Sequence, residues 1–160
     1  MRLVIAAIGR LKDGPERTLY ARYADRVLAA GRGVALGPIE LRELPEARDG
    51  NRDVRMRDEA ERLVARSENP CWRILLDECG KAPTSQAFAQ MLGELRDRGE
   101  SSVAFLIGGP DGHGDGARAV ARQVISLGPM TLPHGLARIV LAEQLYRAVT
   151  ILSGHPYHRD

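Results

Sequence analysis

The alternation of short apolar runs with amphipathic helical stretches constrains the fold of this chain more than any other sequence feature. Extended runs at 3–9, 34–44 (broken at Gly37-Pro38), 71–78, 101–109 and 125–133 alternate with helical patterns at 15–31, 53–67, 84–99, 117–124 and 133–153. Five strand–helix repeats predict an α/β fold with a parallel sheet and flanking helices on both faces. Because ligands of such sheets bind beyond the carboxyl ends of the strands, we expect a site in the loops after Leu76 and Ile107 and in the segment 124–132.

Length and composition favour one compact unit inside the cell. A chain of 160 residues predicts a single domain, 1–160, that buries about two-thirds of its unfolded surface. No apolar run approaches the roughly 20 residues that cross a bilayer, and the N-terminus lacks the long core of a signal peptide. The two cysteines, Cys71 and Cys79, match no disulfide framework or zinc pattern. We expect a cytoplasmic protein with reduced thiols and no membrane partner.

The charge of the chain gives little indication of its partner. The formal net charge is +2, so composition predicts no broad polyanion-binding surface. Lys12 and Lys81 are the only lysines, and the other cations are arginines, whose guanidinium groups suit bidentate phosphate contacts and stacking on bases.

The glycine-rich stretch IGGPDGHGDGA at 107–117 invites a nucleotide-binding interpretation. A dinucleotide fingerprint fits on Gly112, Gly114 and Ala117, but that fingerprint needs an acidic residue at the end of the next strand. The predicted next strand ends at 130–133 without a carboxylate, and no lysine follows Lys81 to complete a phosphate-binding loop. Dinucleotide binding is therefore disfavoured, and a purely structural turn stays open.

Two loops favour a flat, neutral heterocycle instead. Gly108 and Gly109 permit close approach of the backbone, and Gly128 and Pro129 break the extended run at 125–133. Main-chain groups in two such loops, with apolar side chains and no nearby carboxylate, suit a group such as adenine.

Four motifs carry a resemblance to a known family. LLDECGK (75–81), FLIGGPDG (105–112), MTLPHGLARIVLAEQLYRA (130–148) and the terminal HPYHRD resemble the RlmH-type methyltransferases of the SPOUT superfamily, over the full length of the chain. The resemblance implies a C-terminal trefoil knot, a homodimer, S-adenosylmethionine as methyl donor, and methylation of N3 of a pseudouridine in bacterial 23S rRNA on the assembled ribosome. It also implies a methyl-donor pocket formed by Leu76, Gly108, Leu127, Gly128, Pro129, Met130, Thr131 and Leu132. His113 departs from the family pattern, in which leucine is common, and leaves the exit of the glycine loop open.

The last helical pattern predicts a second packing partner. Its apolar residues cover much of the circumference, which favours a homodimer. Arg138 and Arg147 lie on opposite sides at about 100° per residue, so we expect them to serve the sites of different subunits. Arg138 is a candidate RNA contact, with a plain surface cation as the alternative. Arg147 is a candidate catalytic residue, with an ion pair to Glu143 as the alternative.

The C-terminal tail concentrates groups that handle a nucleobase. Tyr157 offers a ring and a hydroxyl, Arg159 can bind phosphate, and His155 or His158 has a suitable pKa to remove the N3 proton. Two histidines without a neighbouring carboxylate or thiolate make an incomplete metal site, so no metal is predicted. A disordered tail is the alternative.

Catalysis is expected to depend mainly on positioning the methyl donor and the base. The sulfonium of the methyl donor already activates the methyl group, so attack by N3 needs orientation and loss of a proton. Pro133 is expected to begin the last helix and to place its positive end near the methyl-donor carboxylate. A nicotinamide-dependent oxidoreductase and a non-enzymatic RNA-binding module stay open as alternatives. Only 4% of the residues are aromatic, which disfavours the second.

Overall fold

The computed structural model describes residues 1–67 and 71–158, and its centre is a five-stranded parallel sheet in the order β2-β1-β4-β3-β5. The strands are β1 (Arg2–Ile8), β2 (Ile39–Leu44), β3 (Trp72–Lys81), β4 (Ser102–Ile107) and β5 (Gln123–Ile125). The helices are α1 (Pro15–Ala30), α2 (Arg52–Arg66), α3 (Ser85–Asp97), α4 (Asp115–Val120) and α5 (His134–Leu152), with a 3₁₀ turn at Gly31–Val34. The predicted α/β architecture is confirmed.

Alternation within β1 separates two hydrophobic layers. Leu3, Ile5 and Ala7 join the core beneath α1, α3 and α5, whereas Val4 and Ile8 join the core beneath α2 and α4. Every β1 residue from 3 to 8 is fully buried, as expected for a central parallel strand covered on both faces.

Helix starts follow local capping chemistry. The Asn51 side chain accepts a hydrogen bond of 2.8 Å from the Asp53 amide at the start of α2, and Thr84 accepts one of 3.1 Å from the Ala87 amide at the start of α3. The sequence TSQAFAQMLGELRDRG at 84–99 predicts a helix with Thr84 as its cap and Gly99 as its stop, and the Thr84 cap is confirmed. Gly99 follows α3 with a φ of 83°, a conformation that favours glycine.

Three predicted boundaries in the C-terminal half are wrong. The helical pattern at 117–124 runs into a strand, because the Arg122 amide donates to the Arg73 carbonyl at 2.9 Å and draws 123–125 into the ladder with β3. The strand predicted at 125–133 ends at Ile125, and no strand or helix follows until His134. Pro133 is the residue before α5 rather than its first residue.

Helix α5 packs against α1 and α3 of its own chain. This packing buries Leu141, Leu145, Ala148 and Val149 completely, so the apolar circumference does not by itself require a second subunit. Within residues 1–67 and 71–158, no helix is long and apolar enough to cross a membrane.

Candidate active site

A bulge in β3 and the loops that follow β4 and β5 meet at the carboxyl edge of the sheet and line a cavity of about 470 Å³, here called the edge pocket. Seven of the eight residues predicted to hold a methyl donor line it: Leu76, Gly108, Leu127, Gly128, Met130, Thr131 and Leu132. Pro129 lies between two lining residues without lining the cavity itself. The fold therefore brings the predicted loops together at the expected edge.

One wall of the edge pocket is a bulge in β3. Leu76 and Lys81 both pair with Ile125, so the residues 77–80 leave the ladder. Gly80 packs so closely that an added Cβ would lie 2.5 Å from the Ile125 carbonyl carbon. A glycine is therefore required for this approach of two backbones.

The bulge places carboxylates in the pocket, which corrects the expectation of a site without them. Asp77 and Glu78 both line the cavity. Burial opposes ionisation of Asp77, but a hydrogen bond from the Cys79 amide at 3.0 Å and the Arg118 guanidinium at 2.6 Å outweigh it and lower the pKa of Asp77. Sequence reasoning missed them because the nucleotide template searches the strand after the glycine loop, whereas these residues lie in β3, which comes before both β4 and the loop in the chain.

The glycine loop at 108–112 lines the pocket on one side and packs against the rest of the protein on the other. A Cβ added at Gly108 would lie 2.8 Å from the Gly112 carbonyl oxygen. A Cβ added at Gly109 would lie 2.5 Å from Glu59 Oε2. On the outer side, Arg55 Nε donates to Asp111 Oδ2 at 2.8 Å and Arg52 donates to the Asp111 carbonyl at 3.1 Å. Helix α2 thus fixes the loop, a role that local motifs did not indicate.

His113 lies inside this loop and is 6% exposed. Its Nε2 is 2.8 Å from the Leu76 carbonyl oxygen and 3.2 Å from the Gly108 amide nitrogen. Burial lowers the pKa of His113. The ring therefore connects Leu76, within β3, to Gly108, the residue after β4, at the pocket.

The amino-terminal end of α5 also reaches the pocket. His134 and Ala137 line the cavity, so the positive end of the helix dipole faces it. This position agrees with the expectation for the last helix, although the helix starts one residue later than predicted.

Arg138 is buried, which corrects its assignment as an RNA contact or a surface cation. The residue is 1% exposed. Its Nη1 donates to Glu43 Oε1 at 2.9 Å and its Nη2 donates to the Ile8 carbonyl at 2.5 Å. The guanidinium therefore ties α5 to the ends of β1 and β2 and is not presented to RNA by this chain.

The tail folds back onto α5 and forms a tail cluster of Glu143, Arg147, Tyr157 and His158. Glu143 Oε1 accepts hydrogen bonds from Arg147 Nη2 at 2.5 Å and from the Tyr157 hydroxyl at 3.1 Å. The Arg147 guanidinium lies 4.9 Å from the centre of the Tyr157 ring and 3.4 Å from His158 Nδ1. The ion pair between Glu143 and Arg147, the alternative given above for Arg147, is present, and Glu143 also holds the Tyr157 hydroxyl of the tail.

His155 is exposed, and its Nδ1 accepts a hydrogen bond of 3.2 Å from the Tyr157 amide. The predicted role of Arg159 falls outside the described residues. Burial, together with the Glu143 carboxylate, raises the pKa of Tyr157 to about 12.

The tail cluster and the edge pocket lie at different ends of α5. Ala137 lines the pocket, and Arg147 follows ten residues later, which corresponds to about 15 Å along a helix. Within one chain the fold therefore does not bring the candidate base-handling residues to the candidate methyl-donor site.

Among the described residues, no three His, Cys, Asp or Glu side chains are grouped to hold a metal ion.

Comparison with known proteins finds a family of methyltransferases and relatives with high sequence identity. The family model described as "Predicted SPOUT methyltransferase" matches residues 1–158. A ribosomal RNA large subunit methyltransferase H from Brucella anthropi is 48% identical over 160 residues, covering all of both chains. The protein of the same name from Rhizobium meliloti is 50% identical over 159 residues, 99% of each. The SpoU methyltransferase AviRb from Streptomyces viridochromogenes, solved with AdoMet, has a TM-score of 0.41 at 12% identity; the match covers 96% of this chain and 61% of that one.

Proposed function

Since this chain belongs to the SPOUT methyltransferase family, we propose that it transfers a methyl group from S-adenosylmethionine to N3 of a pseudouridine in bacterial 23S rRNA, on the assembled ribosome and therefore in the cytoplasm. Two relatives, 48% and 50% identical, are named as large-subunit ribosomal RNA methyltransferases. The observation that carries the proposal is the edge pocket, where the β3 bulge and the loops after β4 and β5 meet.

The residues of the edge pocket fit S-adenosylmethionine in size and chemistry. A cavity of about 470 Å³ lies within the range of roughly 300–1,000 Å³ for small-molecule sites. The Leu76 and Leu127 side chains supply apolar contacts for adenine, and the carboxylates of Asp77 and Glu78 can accept hydrogen bonds from ribose hydroxyls. The positive end of α5 favours a carboxylate. When bound, the sulfonium supplies an activated methyl group.

The tail cluster supports a role in orienting the nucleobase. Because its pKa is raised to about 12, Tyr157 keeps its proton at neutral pH, so we assign it stacking or hydrogen bonding rather than base catalysis. Arg147, stacked on that ring, is positioned to hold a negatively charged or carbonyl group of the RNA. We assign removal of the N3 proton to His155 or His158, because a neutral imidazole can act as a general base. We keep Arg159 as a phosphate contact.

A homodimer completes the proposed site. Since about 15 Å of helix separates the edge pocket from the tail cluster, we infer that the tail of one subunit serves the pocket of the other. This arrangement retains the predicted exchange between subunits for Arg147 and removes it for the buried Arg138. We further propose that residues 1–160 form one domain with the family's trefoil knot.

The proposed function is tested with ribosomes from a strain that lacks this gene. Purified protein and S-adenosylmethionine carrying a labelled methyl group are incubated with these ribosomes, and digested 23S rRNA is analysed by mass spectrometry. We expect a single N3-methylated pseudouridine. A Gly108→Val variant, whose side chain fills the close approach to Gly112, is the negative control. Unlabelled rRNA after prolonged incubation of wild-type protein would contradict the proposal.

A further inference from the structure

We propose that His113 is a positioning residue for the methyl donor: its Nε2–H holds the Leu76 carbonyl and so fixes the part of β3 that forms one wall of the edge pocket. The proposal rests on the proposed function and extends it to a residue outside the predicted pocket set. It starts from the contact of one ring nitrogen with two main-chain groups of opposite hydrogen-bonding character.

A neutral imidazole nitrogen carries either a hydrogen or a lone pair, so His113 Nε2 serves only one of its two neighbours. The Leu76 carbonyl oxygen at 2.8 Å needs a hydrogen on Nε2, and the Gly108 amide at 3.2 Å needs a lone pair there. The shorter distance belongs to the carbonyl. In the opposite tautomer two lone pairs would face each other at 2.8 Å.

Each tautomer leaves one buried donor without an acceptor, so the short contact decides between them. A hydrogen on Nδ1 would have no acceptor, because Nδ1 is buried and has no hydrogen-bond partner within residues 1–67 and 71–158, and a hydrogen on Nε2 leaves the Gly108 amide hydrogen without one. Only the hydrogen on Nε2 avoids two lone pairs that face each other at 2.8 Å. The ring is therefore assigned as neutral with its hydrogen on Nε2.

The electrostatic surroundings are mixed and do not require a charged ring. Asp77 on β3 favours the protonated form, whereas Arg118 on α4 and His134 on α5 oppose it, and burial opposes it most. A neutral ring keeps the Leu76 bond without bringing a positive charge next to a sulfonium.

The assignment determines what His113 does at the pocket. With the hydrogen on Nε2, His113 holds the Leu76 carbonyl, and Leu76 lines the edge pocket. Leu76 is also the last β3 residue before the bulge, so this bond sets where the pocket wall of residues 77–79 begins.

Three substitutions separate the hydrogen bond from simple packing. The Gln side-chain nitrogen is as many bonds from Cα as His Nε2, whereas the Asn nitrogen corresponds to Nδ1, and Leu supplies volume alone. In calorimetric titrations with S-adenosylmethionine, we expect His113→Leu and His113→Asn to raise the Kd about three- to tenfold, as for loss of one hydrogen bond, and His113→Gln to stay within about twofold.

NMR of the wild-type protein with ¹⁵N-labelled histidine provides an independent measurement, because the chain has only four histidines. We expect the His113 signals of an Nε2–H tautomer, assigned by their absence in His113→Gln. An Nδ1–H tautomer, or equal affinity in wild type and all three variants, would overturn the His113 proposal alone. Wild-type protein that binds no S-adenosylmethionine would overturn the proposed function as well.

Discussion

Replacing Arg138 with Met is expected to destabilise the fold by about 3 kcal/mol, the lower end for breaking a buried ion pair. The substitution keeps most of the side-chain length and removes the hydrogen bonds to Glu43 and to the Ile8 carbonyl. The Glu43 side chain is only 14% exposed, so its carboxylate stays in place without its main cation. It retains the hydrogen bond of 2.6 Å from the Leu11 amide, which places the loss near the lower end.

Thermal unfolding measures this effect. At about 2–4 °C per kcal/mol for a chain of this size, the Tm should fall by about 6–12 °C. Arg147→Met is the matched control, since its pair with Glu143 is partly exposed and should cost about 1 kcal/mol. Adding Glu43→Gln to Arg138→Met should recover part of the loss, because it removes a largely buried carboxylate whose remaining cation is Arg17 at 3.4 Å. A Tm within about 2 °C of wild type for Arg138→Met would refute the structural role of this arginine.

The other predictions concern the pocket, the tail and pH. A purified heterodimer of one Gly108→Val chain and one Arg147→Ala chain should keep about half of wild-type methylation, since one of its two composite sites is intact; no activity would place each site within one chain. Tyr157→Ala should abolish most methylation while the Kd for S-adenosylmethionine changes less than about twofold, and a large loss of affinity would contradict this division. Because the pKa of His113 is lowered from 6.5, the unfolded chain binds more protons below that pH. Urea unfolding should therefore show that stability falls more steeply in wild type than in His113→Gln as the pH drops below about 6.5; equal slopes would contradict it.

The sequence predicted those features that depend on local pattern. The run at 3–9 became β1 because alternate residues face two layers, and the Thr84 cap follows from side-chain chemistry within one turn. The burial of Arg138 could not be predicted in this way, because its partner Glu43 is 95 residues away and periodicity assigns a helical cation to the surface. Asp77 was missed because its place in the pocket depends on a bulge that only the pairing with β5 produces.

The positions of the candidate site residues show the same limit. Loops at the carboxyl ends of parallel strands meet by geometry, so the predicted pocket residues converge. The tail follows the long helix α5, and the sequence pattern of that helix does not show which of its ends faces a substrate. The structure was needed to show that Ala137 lines the pocket and that Arg147 contacts the tail, and their separation along α5 favours a site shared by two chains.

The attachment of both ends of the β3 bulge to Ile125 has a mechanical consequence. The wall that carries Asp77 and the loop that starts at Ser126 are both joined to the same three-residue edge strand, so a movement of β5 displaces both. Local detachment of such an element requires little free energy. A ligand that contacts both walls should therefore stabilise β5, and we expect hydrogen exchange at Val124 and Ile125 to slow when the pocket is filled.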